Sequence, residues 1–204
     1  MLDGKILIDC GVPLFKIRPH MKALRLVLLT HVHGDHFNPR TVRALHRDRP
    51  GLRWGCCAWM VGPLLEAGVD KRVIDVYQQG DTLCYNRLCA AEPVLLTHDV
   101  PNCGWKLMLS DGTGVFYATD TGTLEGVEAK EYDWYMIEAN HTQAELEERA
   151  RAKLDAGQFA YEIRAARNHL SREQAEEWLY SQMGPNSQYV FLHQHFLEGA
   201  VNHA

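Results

Sequence analysis

The chain has 204 residues, of which 46% are hydrophobic and 23% are charged, and its formal net charge is −5 at pH 7. These values exclude a disordered or fibrous chain, and the length predicts a single domain over residues 1–204. The negative charge excludes a strong general attraction to nucleic acid, although a local basic rim is compatible with it. The sequence has no apolar run long enough for a membrane span and no signal region at its start, so we expect a cytoplasmic protein without membrane partners.

The first half of the chain predicts short strands separated by turns and one clear helix. A strand over Lys5–Gly11 ends at glycine, and the apolar run Leu26–Leu29 predicts a strand that is buried on both faces. Asn38 and Pro39 are a typical helix start, with asparagine as the cap and proline in the first turn. Further strands are predicted over Arg53–Cys57, Arg72–Tyr77 and Val94–Thr97.

The second half predicts a hairpin, two capped helices and two more strands. The hairpin joins Trp105–Leu109 to Val115–Thr119 through a glycine-rich polar turn. Thr142 and Ser171 each begin a capping-box pattern that opens a helix. The last strands are predicted over Trp134–Glu138 and Tyr189–Leu192. Because the strands come in clusters and not in a regular parallel βαβ alternation, the pattern favours a layered α/β domain with two sheets and outer helices.

The most informative segment is Thr30-His31-Val32-His33-Gly34-Asp35-His36, directly after the buried strand. It contains four potential metal ligands: His31, His33, Asp35 and His36. Imidazole suits zinc, iron and related divalent ions, whereas carboxylate suits harder ions. The segment therefore predicts a metal site at the end of this strand.

Three further polar residues follow predicted strands, and a rigid sheet can position a ligand at such a place. They are His98, Asp120 and His193. The last of them is ambiguous because His195 lies two residues further on, and side chains two apart on a strand share a face. We prefer His193 because it directly ends the apolar run.

The pattern H-x-H-x-D-H over residues 31–36, followed in order by His98, Asp120 and His193, resembles the metallo-β-lactamase-fold hydrolases. The segment Leu7–Gly11 also resembles the early strand and turn of that family. The resemblance implies an αββα sandwich of two mixed sheets, with helices on the outer faces and a metal site at one edge. The family has an earlier strand, but only four residues precede Lys5 here. Either that first strand is absent or the N-terminus is truncated.

The resemblance also implies two divalent metal ions, with zinc preferred and manganese or iron as alternatives. His31, His33 and His98 would hold one ion, Asp35, His36 and His193 the other, and Asp120 would bridge them. A hydroxide that bridges the ions would be the nucleophile, and the charge of the ions would stabilise the transition state. We count Asp35 as a catalytic residue as well as a ligand.

The substrate does not follow from the fold, but parts of the sequence narrow the choice. True β-lactamases of this fold have cysteine where Asp120 stands. The helical domain of glyoxalase-type thioesterases and the arm of tRNA-processing endonucleases have no counterpart. Asn168–Ser171 and Glu138–His141 resemble elements of nuclease-type members. The sequence therefore favours a phosphodiesterase or nuclease that acts on a small phosphodiester or on nucleic acid, with a thioester, ester or lactone hydrolase as the alternative.

Residues around Asn168–Ser171 complete the predicted site. His169 would donate a proton to the leaving oxygen, or hold the phosphate, although it would also suit a simple polar position before a helix cap. Arg164 and Arg167 would bind phosphate, because guanidinium groups match its geometry, or else form a solvated charge run. His141 is a third candidate for substrate binding. The sequence gives no oligomeric state.

Overall fold

The computed structural model of the protein describes residues 1–157 and 167–194. Contacts within the chain define two compact units. The first unit contains Met1–Leu95 and Val100–Cys103, and the second contains Leu96–Asp99 and the chain from Gly104 onward. The one-domain assignment stays a prediction.

The first unit contains a parallel four-stranded sheet in the order β1-β2-β3-β4. Its strands are β1 (Ile6–Ile8), β2 (Leu26–Leu28), β3 (Arg53–Cys57) and β4 (Ile74–Tyr77). The helices between them are α1 (Leu14–Ile17), α2 (Pro39–Asp48) and α3 (Val61–Glu66). This is a regular βαβ alternation, which was not expected, and the sheet is parallel where a mixed sheet was expected. Two of its helices span only four and six residues, so they were too short to show a helical period in the sequence. The expected architecture of two sheets with helices is confirmed.

The core of the first unit forms between this sheet and α2. All three residues of β2 are fully buried, which confirms the strand predicted to be covered on both faces. Helix α2 begins where predicted, because the Asn38 side chain accepts hydrogen bonds from the backbone N–H groups of Arg40 and Thr41. Val42 and Leu45 face inward from α2, and burial of such side chains contributes about 1.5–3 kcal/mol each.

The remaining strands form a mixed sheet in the order β10-β9-β8-β7-β6-β5. They are β5 (Leu83–Tyr85), β6 (Cys89–Leu96), β7 (Asn102–Leu109), β8 (Gly114–Ala118), β9 (Trp134–Glu138) and β10 (Gln188–Leu192). The pairs β5–β6 and β7–β8 are antiparallel, whereas β8, β9 and β10 are parallel neighbours. The hairpin predicted between β7 and β8 is confirmed.

The helices of the second unit are α4 (Gln143–Asp155) and α5 (Arg172–Gln182). Both begin with the capping boxes predicted at Thr142 and Ser171, in which the side chains of the cap residue and of the third helical residue satisfy each other's backbone N–H groups. Helix α5 buries Ala175 and Leu179. Helix α4 buries none of its residues.

Several element boundaries differ from the predictions. β4 begins at Ile74 and not at Arg72, because the Asp70 side chain accepts a hydrogen bond from the Arg72 N–H and opens a 3-10 helix over Lys71–Val73. β6 begins five residues before the predicted Val94, and β5 was not predicted at all. Among the described residues, no helix combines the length and apolarity that a membrane crossing requires.

Candidate metal centre

The loop after β2 brings the three histidines of the predicted cluster together. His31 is fully buried, His36 is nearly so, and His33 is half-buried. The ring centroid of His31 lies 4.8 Å from that of His33 and 4.3 Å from that of His36. Asp35 is exposed, and its carboxylate lies 3.7 Å from Nε2 of His36. All four residues of the motif are therefore neighbours in the first unit.

A buried carboxylate that the sequence did not single out holds this loop in place. Asp9 follows β1, and its carboxylate accepts hydrogen bonds from the backbone N–H and the hydroxyl of Thr30, each at 2.9 Å. Nδ1 of His36 lies 2.7 Å from the same carboxylate, and Nδ1 of His31 lies 2.9 Å from the Thr30 hydroxyl. We call Asp9, Thr30, His31 and His36 the Asp9 cluster. Burial raises the pKa of Asp9, although the hydrogen bonds from His36 and Thr30 oppose this shift.

The backbone around the Asp9 cluster is closely packed. The backbone N–H of Cys10 donates to the His36 carbonyl at 2.8 Å, so the chain after β1 runs directly beside the histidine loop. A side chain at Gly11 would collide with the carbonyl oxygen of Asp35. Asp9 itself has φ of +59°, a conformation that carries strain in residues other than glycine and that often occurs at functional sites.

A second cluster lies in the second unit and consists of Asp120, Glu138, His169 and His193. Each of these residues offers one ligand atom, and the four atoms lie within 4.8 Å of one another. Oε2 of Glu138 lies 3.0 Å from Nδ1 of His169 and 3.2 Å from Nδ1 of His193. Oδ1 of Asp120 lies 3.7 and 3.5 Å from the same two nitrogen atoms. We call this group the Glu138 cluster.

The backbone fixes Glu138 independently of the two histidines. Its Oε1 accepts hydrogen bonds from the N–H groups of Thr121 and Leu170, both at 2.9 Å, and the residue is fully buried. Burial alone would raise its pKa, but the hydrogen bonds from His169 and His193, together with the charge of His169 and the backbone N–H of Thr121, lower it. Glu138 is therefore a negatively charged hydrogen-bond acceptor that holds both imidazoles.

His98 lies beside the Glu138 cluster. Its imidazole is 2% exposed, and the ring centroid lies 5.3 Å from that of His169. Nδ1 lies 3.1 Å from the carbonyl oxygen of Asn168, and Nε2 lies 3.3 Å from the carboxylate of Asp99. Burial lowers the pKa of His98 and so favours its neutral form, the form that binds metals.

Two predicted ligands of the second unit have unusual backbone conformations. Asp120 has φ of +58° and His193 has φ of +52°, so both lie in the left-handed region directly after their strands. The loop after Asp120 is also tightly packed, because a side chain at Gly122 would collide with the carbonyl oxygen of Arg167. Such conformations are retained where the surrounding structure requires them.

The other predicted site residues lie at the margin of the second unit's cluster or outside the described chain. His141 is half-buried, its Nδ1 lies 3.4 Å from the side-chain oxygen of Asn140, and burial lowers its pKa. Arg167 is exposed and directly precedes Asn168, whose carbonyl faces His98. Arg164 and His195 lie outside the described residues.

The donor groups fit a transition-metal ion. In His31, His36 and His98, Nδ1 faces a hydroxyl, a carboxylate and a backbone carbonyl, respectively. Metal-binding histidines usually have one ring nitrogen held in this way, which fixes the ring so that Nε2 can coordinate the ion. Imidazole and carboxylate together suit zinc and related divalent ions.

Sequence reasoning missed Asp9 and Glu138 as residues of the site. Each is an acidic residue at or just after the end of an apolar strand, the same signal that identified Asp120. Their role in holding histidines depends on contacts with residues 21 to 55 positions away along the chain. Because these contacts join residues far apart along the chain, the local sequence pattern did not reveal the role of Asp9 and Glu138.

A family model described as the beta-lactamase superfamily domain matches residues 5–193. The chain belongs to this family. The match confirms the predicted resemblance and the α/β fold with two sheets, and it assigns the protein to the metal-dependent hydrolases of the superfamily. No curated protein matches the sequence significantly.

Solved structures with the same fold include proteins of different named activities. The metallo-β-lactamase fold protein YhfI from Bacillus subtilis has a TM-score of 0.69 at 14% identity, over 96% of this chain and 77% of its own. The short form of human tRNase Z has a TM-score of 0.64 at 14% identity, over 95% and 83%. A diphosphatase of the PhnP family has a TM-score of 0.58 at 16% identity, over 95% and 71%. At these identities the similarity establishes the fold.

Proposed function

We propose that the protein is a binuclear metal-dependent phosphodiesterase. Its ligands would be those that the family pattern implies: His31, His33, Asp35, His36, His98, Asp120 and His193. Zinc is the proposed ion because most of these ligands are imidazoles. Two bound ions would supply a nucleophilic water at neutral pH and positive charge at the reacting phosphorus.

The observation that carries the proposal is the contact between Glu138 and His169. Nδ1 of His169 is held at 3.0 Å from a buried carboxylate, which directs Nε2 away from that carboxylate. A carboxylate in this position fixes the orientation of the ring. We therefore propose that His169 presents Nε2 to a leaving oxygen and donates a proton to it.

A proton donor distinguishes between the candidate substrates. An alkoxide that leaves a phosphodiester is a poor leaving group and benefits from a proton, whereas a thiolate that leaves a thioester needs one far less. Two of the proteins with similar structures are also named as a tRNase and a diphosphatase. Both points favour a phosphodiester over a thioester, ester or lactone.

The remaining predicted contacts concern the phosphate of the substrate. Arg167 is exposed beside the loop that carries His169, so a substrate could contact it. We propose that Arg167 and Arg164 bind phosphate before the reaction and that His141 borders the same subsite. Loss of either arginine should then raise KM more than it lowers kcat.

The test compares two diesters after the protein has been loaded with zinc or with manganese. His169→Ala should lower kcat on an unactivated alkyl diester by about 10²–10⁴-fold and should have a much smaller effect on an aryl diester. The control is His20→Ala, because His20 is exposed on a 3-10 helix of the first unit. Equal losses of kcat on both diesters would mean that His169 is a positioning residue and does not donate the proton. Turnover of thioesters or lactones alone would refute the proposed phosphodiesterase activity.

A further inference from the structure

We propose that the second unit carries a stacking surface for the bases of a single-stranded nucleic acid, made of Tyr189, Phe191 and Arg172. We call these three residues the stacking strip. The inference rests on the proposed phosphodiesterase function, because it specifies the substrate class of that site. Its evidence is the arrangement of three flat side chains on the two chain segments that contain His193 and His169 of the Glu138 cluster.

The three side chains are neighbours, and the rings of Tyr189 and Phe191 are tilted by 53° to each other. Tyr189 and Phe191 lie two residues apart on β10 and therefore point to the same face of the sheet. Their ring centroids are 5.0 Å apart, and the Arg172 guanidinium lies 5.6 Å from the centroid of Phe191. Tyr189 is 47% exposed, the Arg172 side chain is 58% exposed and Phe191 is half-buried, so the strip is open to solvent mainly at Tyr189 and Arg172.

The strip begins close in sequence to a proposed metal ligand, His193, and to the proposed proton donor, His169. Phe191 is two residues before His193, and Arg172 is three residues after His169. The rings of these two histidines have their centroids 5.2 Å apart. The residues of the strip therefore lie on two chain segments that extend from the Glu138 cluster, one from His193 and one from His169.

The backbone holds both segments firmly. β10 pairs in register with β9, with Phe191 opposite Ile137 and Leu192 opposite Glu138. The backbone N–H of Arg172 donates to the His141 carbonyl at 2.8 Å, at the capped start of α5. A rigid aromatic surface loses little conformational entropy when a planar ligand stacks on it.

The chemistry of the strip fits unpaired bases. Single-stranded nucleic acids are recognised by stacking of splayed bases on aromatic rings and on guanidinium planes. The bases of a duplex are already stacked and paired, so they are not available to such a surface. The strip thus favours a single strand whose terminal or adjacent phosphodiester reaches the Glu138 cluster.

The charges around the strip predict that stacking dominates binding. Arg172 donates from Nε to the Glu176 carboxylate at 2.9 Å, which offsets its charge, and the whole chain carries a net charge of −5. Few phosphate contacts release few counterions, so binding should depend only weakly on salt between about 50 and 200 mM.

The experiment measures binding of a fluorescent oligodeoxyadenylate to the metal-depleted protein by fluorescence anisotropy. Tyr189→Ala and Phe191→Leu should each weaken binding by about 5- to 150-fold, the range for the loss of one base-stacking contact. Tyr189→Phe should retain binding. Tyr180→Ala is the matched control, because Tyr180 is an aromatic residue of α5 that is 83% exposed and lies outside the strip.

An abasic oligonucleotide of equal length tests whether the bases are what the strip binds. The original protein should prefer oligodeoxyadenylate to the abasic strand, and the strip variants should lose this preference. Equal binding of both strands by the original protein would refute the strip. Aryl diester turnover by the metal-loaded original protein tests the proposed function separately. Its absence would refute the phosphodiesterase, while base-dependent binding would still support a binding surface.

Discussion

The Asp9 cluster in the first unit and the Glu138 cluster in the second unit follow the same plan. In each, a buried carboxylate accepts backbone and imidazole N–H groups and holds histidines after a strand. They differ in how their residues are spread along the chain. All of the histidines of the first unit's motif lie within six consecutive residues, whereas the Glu138 cluster draws residues from positions 120 to 193. The first cluster can thus be recognised as a local motif, whereas the second is a product of tertiary structure.

The two carboxylates also differ in how firmly the backbone holds them. Asp9 accepts one backbone N–H, that of Thr30, whereas Glu138 accepts two, those of Thr121 and Leu170. Burial raises the pKa of Asp9, while the histidine hydrogen bonds lower that of Glu138 despite its burial. The Glu138 carboxylate should therefore contribute more to folding, and the Asp9 carboxylate more to the orientation of its histidine.

The largest expected effect is the loss of bound metal when ligands of the second unit are removed. The original protein should bind about two divalent ions per chain, as a site that activates water with paired ions requires. Asp120→Ala should lose one or both of them, and His193→Ala should lose one. His195→Ala should retain both. Elemental analysis after loading with zinc measures the content.

The variants of His193 and His195 distinguish between the two candidates for the last ligand. Full metal content in His193→Ala together with loss in His195→Ala would mean that the last ligand is His195. Full content and activity in Asp120→Ala would exclude Asp120 as a ligand.

A second prediction compares the stability contributions of the two carboxylates. In the metal-depleted protein, Glu138→Ala leaves two buried backbone N–H groups without their acceptor, besides the two imidazoles, and the backbone groups alone should lower the free energy of unfolding by about 2–6 kcal/mol. Asp9→Ala leaves one backbone N–H without its acceptor, besides the Thr30 hydroxyl and the His36 imidazole, and its backbone contribution should be about half as large. Urea denaturation gives both values. Glu128→Ala, at an exposed position, should change stability by less than about 0.5 kcal/mol.

The stability losses of Asp9→Ala and Glu138→Ala test whether the backbone hydrogen bonds determine how much each carboxylate contributes to folding. Equal losses at Asp9 and Glu138 would show that the number of backbone N–H groups does not control the contribution of these carboxylates. A loss below about 1 kcal/mol at Glu138 would mean that another acceptor replaces it.

A third prediction concerns the glycines that allow close packing beside each cluster. Gly11→Ala would push against the Asp35 carbonyl, and Gly122→Ala against the Arg167 carbonyl. Each should destabilise the protein by about 1–3 kcal/mol, because a backbone carbonyl must move to make room. Gly51→Ala is the control, because a side chain there meets nothing within 4 Å. Thermal unfolding of the three variants measures the effect, and stability unchanged at Gly11 or Gly122 would contradict the packing argument.

Elements with strong local signals could be predicted from the sequence. The Asn38 cap, the two capping boxes and the β7–β8 hairpin are determined by residues within a few positions of each other, and all were confirmed. The histidine motif is local in the same sense. The alternation of the first sheet was missed because α1 and α3 are shorter than two helical turns.

The rest of the candidate site depends on long-range contacts. His98, Asp120 and His193 could be identified because each follows an apolar strand and matches the order of a family pattern. Asp9 and Glu138 occupy similar positions, but nothing local shows that they bind histidines. Their importance becomes visible only when the fold brings Thr30, Leu170 and the imidazoles to them.

The smallest expected effect tests whether Asp9 acts mainly by orienting His36. Asp9→Asn suits this test because asparagine tolerates the positive φ of this position and its oxygen can still accept the Thr30 N–H. The amide group that replaces the second carboxylate oxygen donates and cannot accept a hydrogen bond from Nδ1 of His36. The ring then loses the partner that fixes its orientation, and zinc affinity should fall by about 10- to 100-fold.

Competition with a chelator measures this affinity, and the exposed Asp48→Asn serves as the matched control. The free energy of unfolding of the metal-depleted Asp9→Asn protein should change less than in Asp9→Ala, because the backbone hydrogen bond to Thr30 is retained. A lower zinc affinity together with this smaller loss of stability would show that Asp9 acts mainly by orienting His36 and less by stabilising the fold. Unchanged zinc affinity in Asp9→Asn would refute the orienting role. A stability loss as large as that of Asp9→Ala would mean that the charge of Asp9, and not its contact with Thr30, supports the first unit.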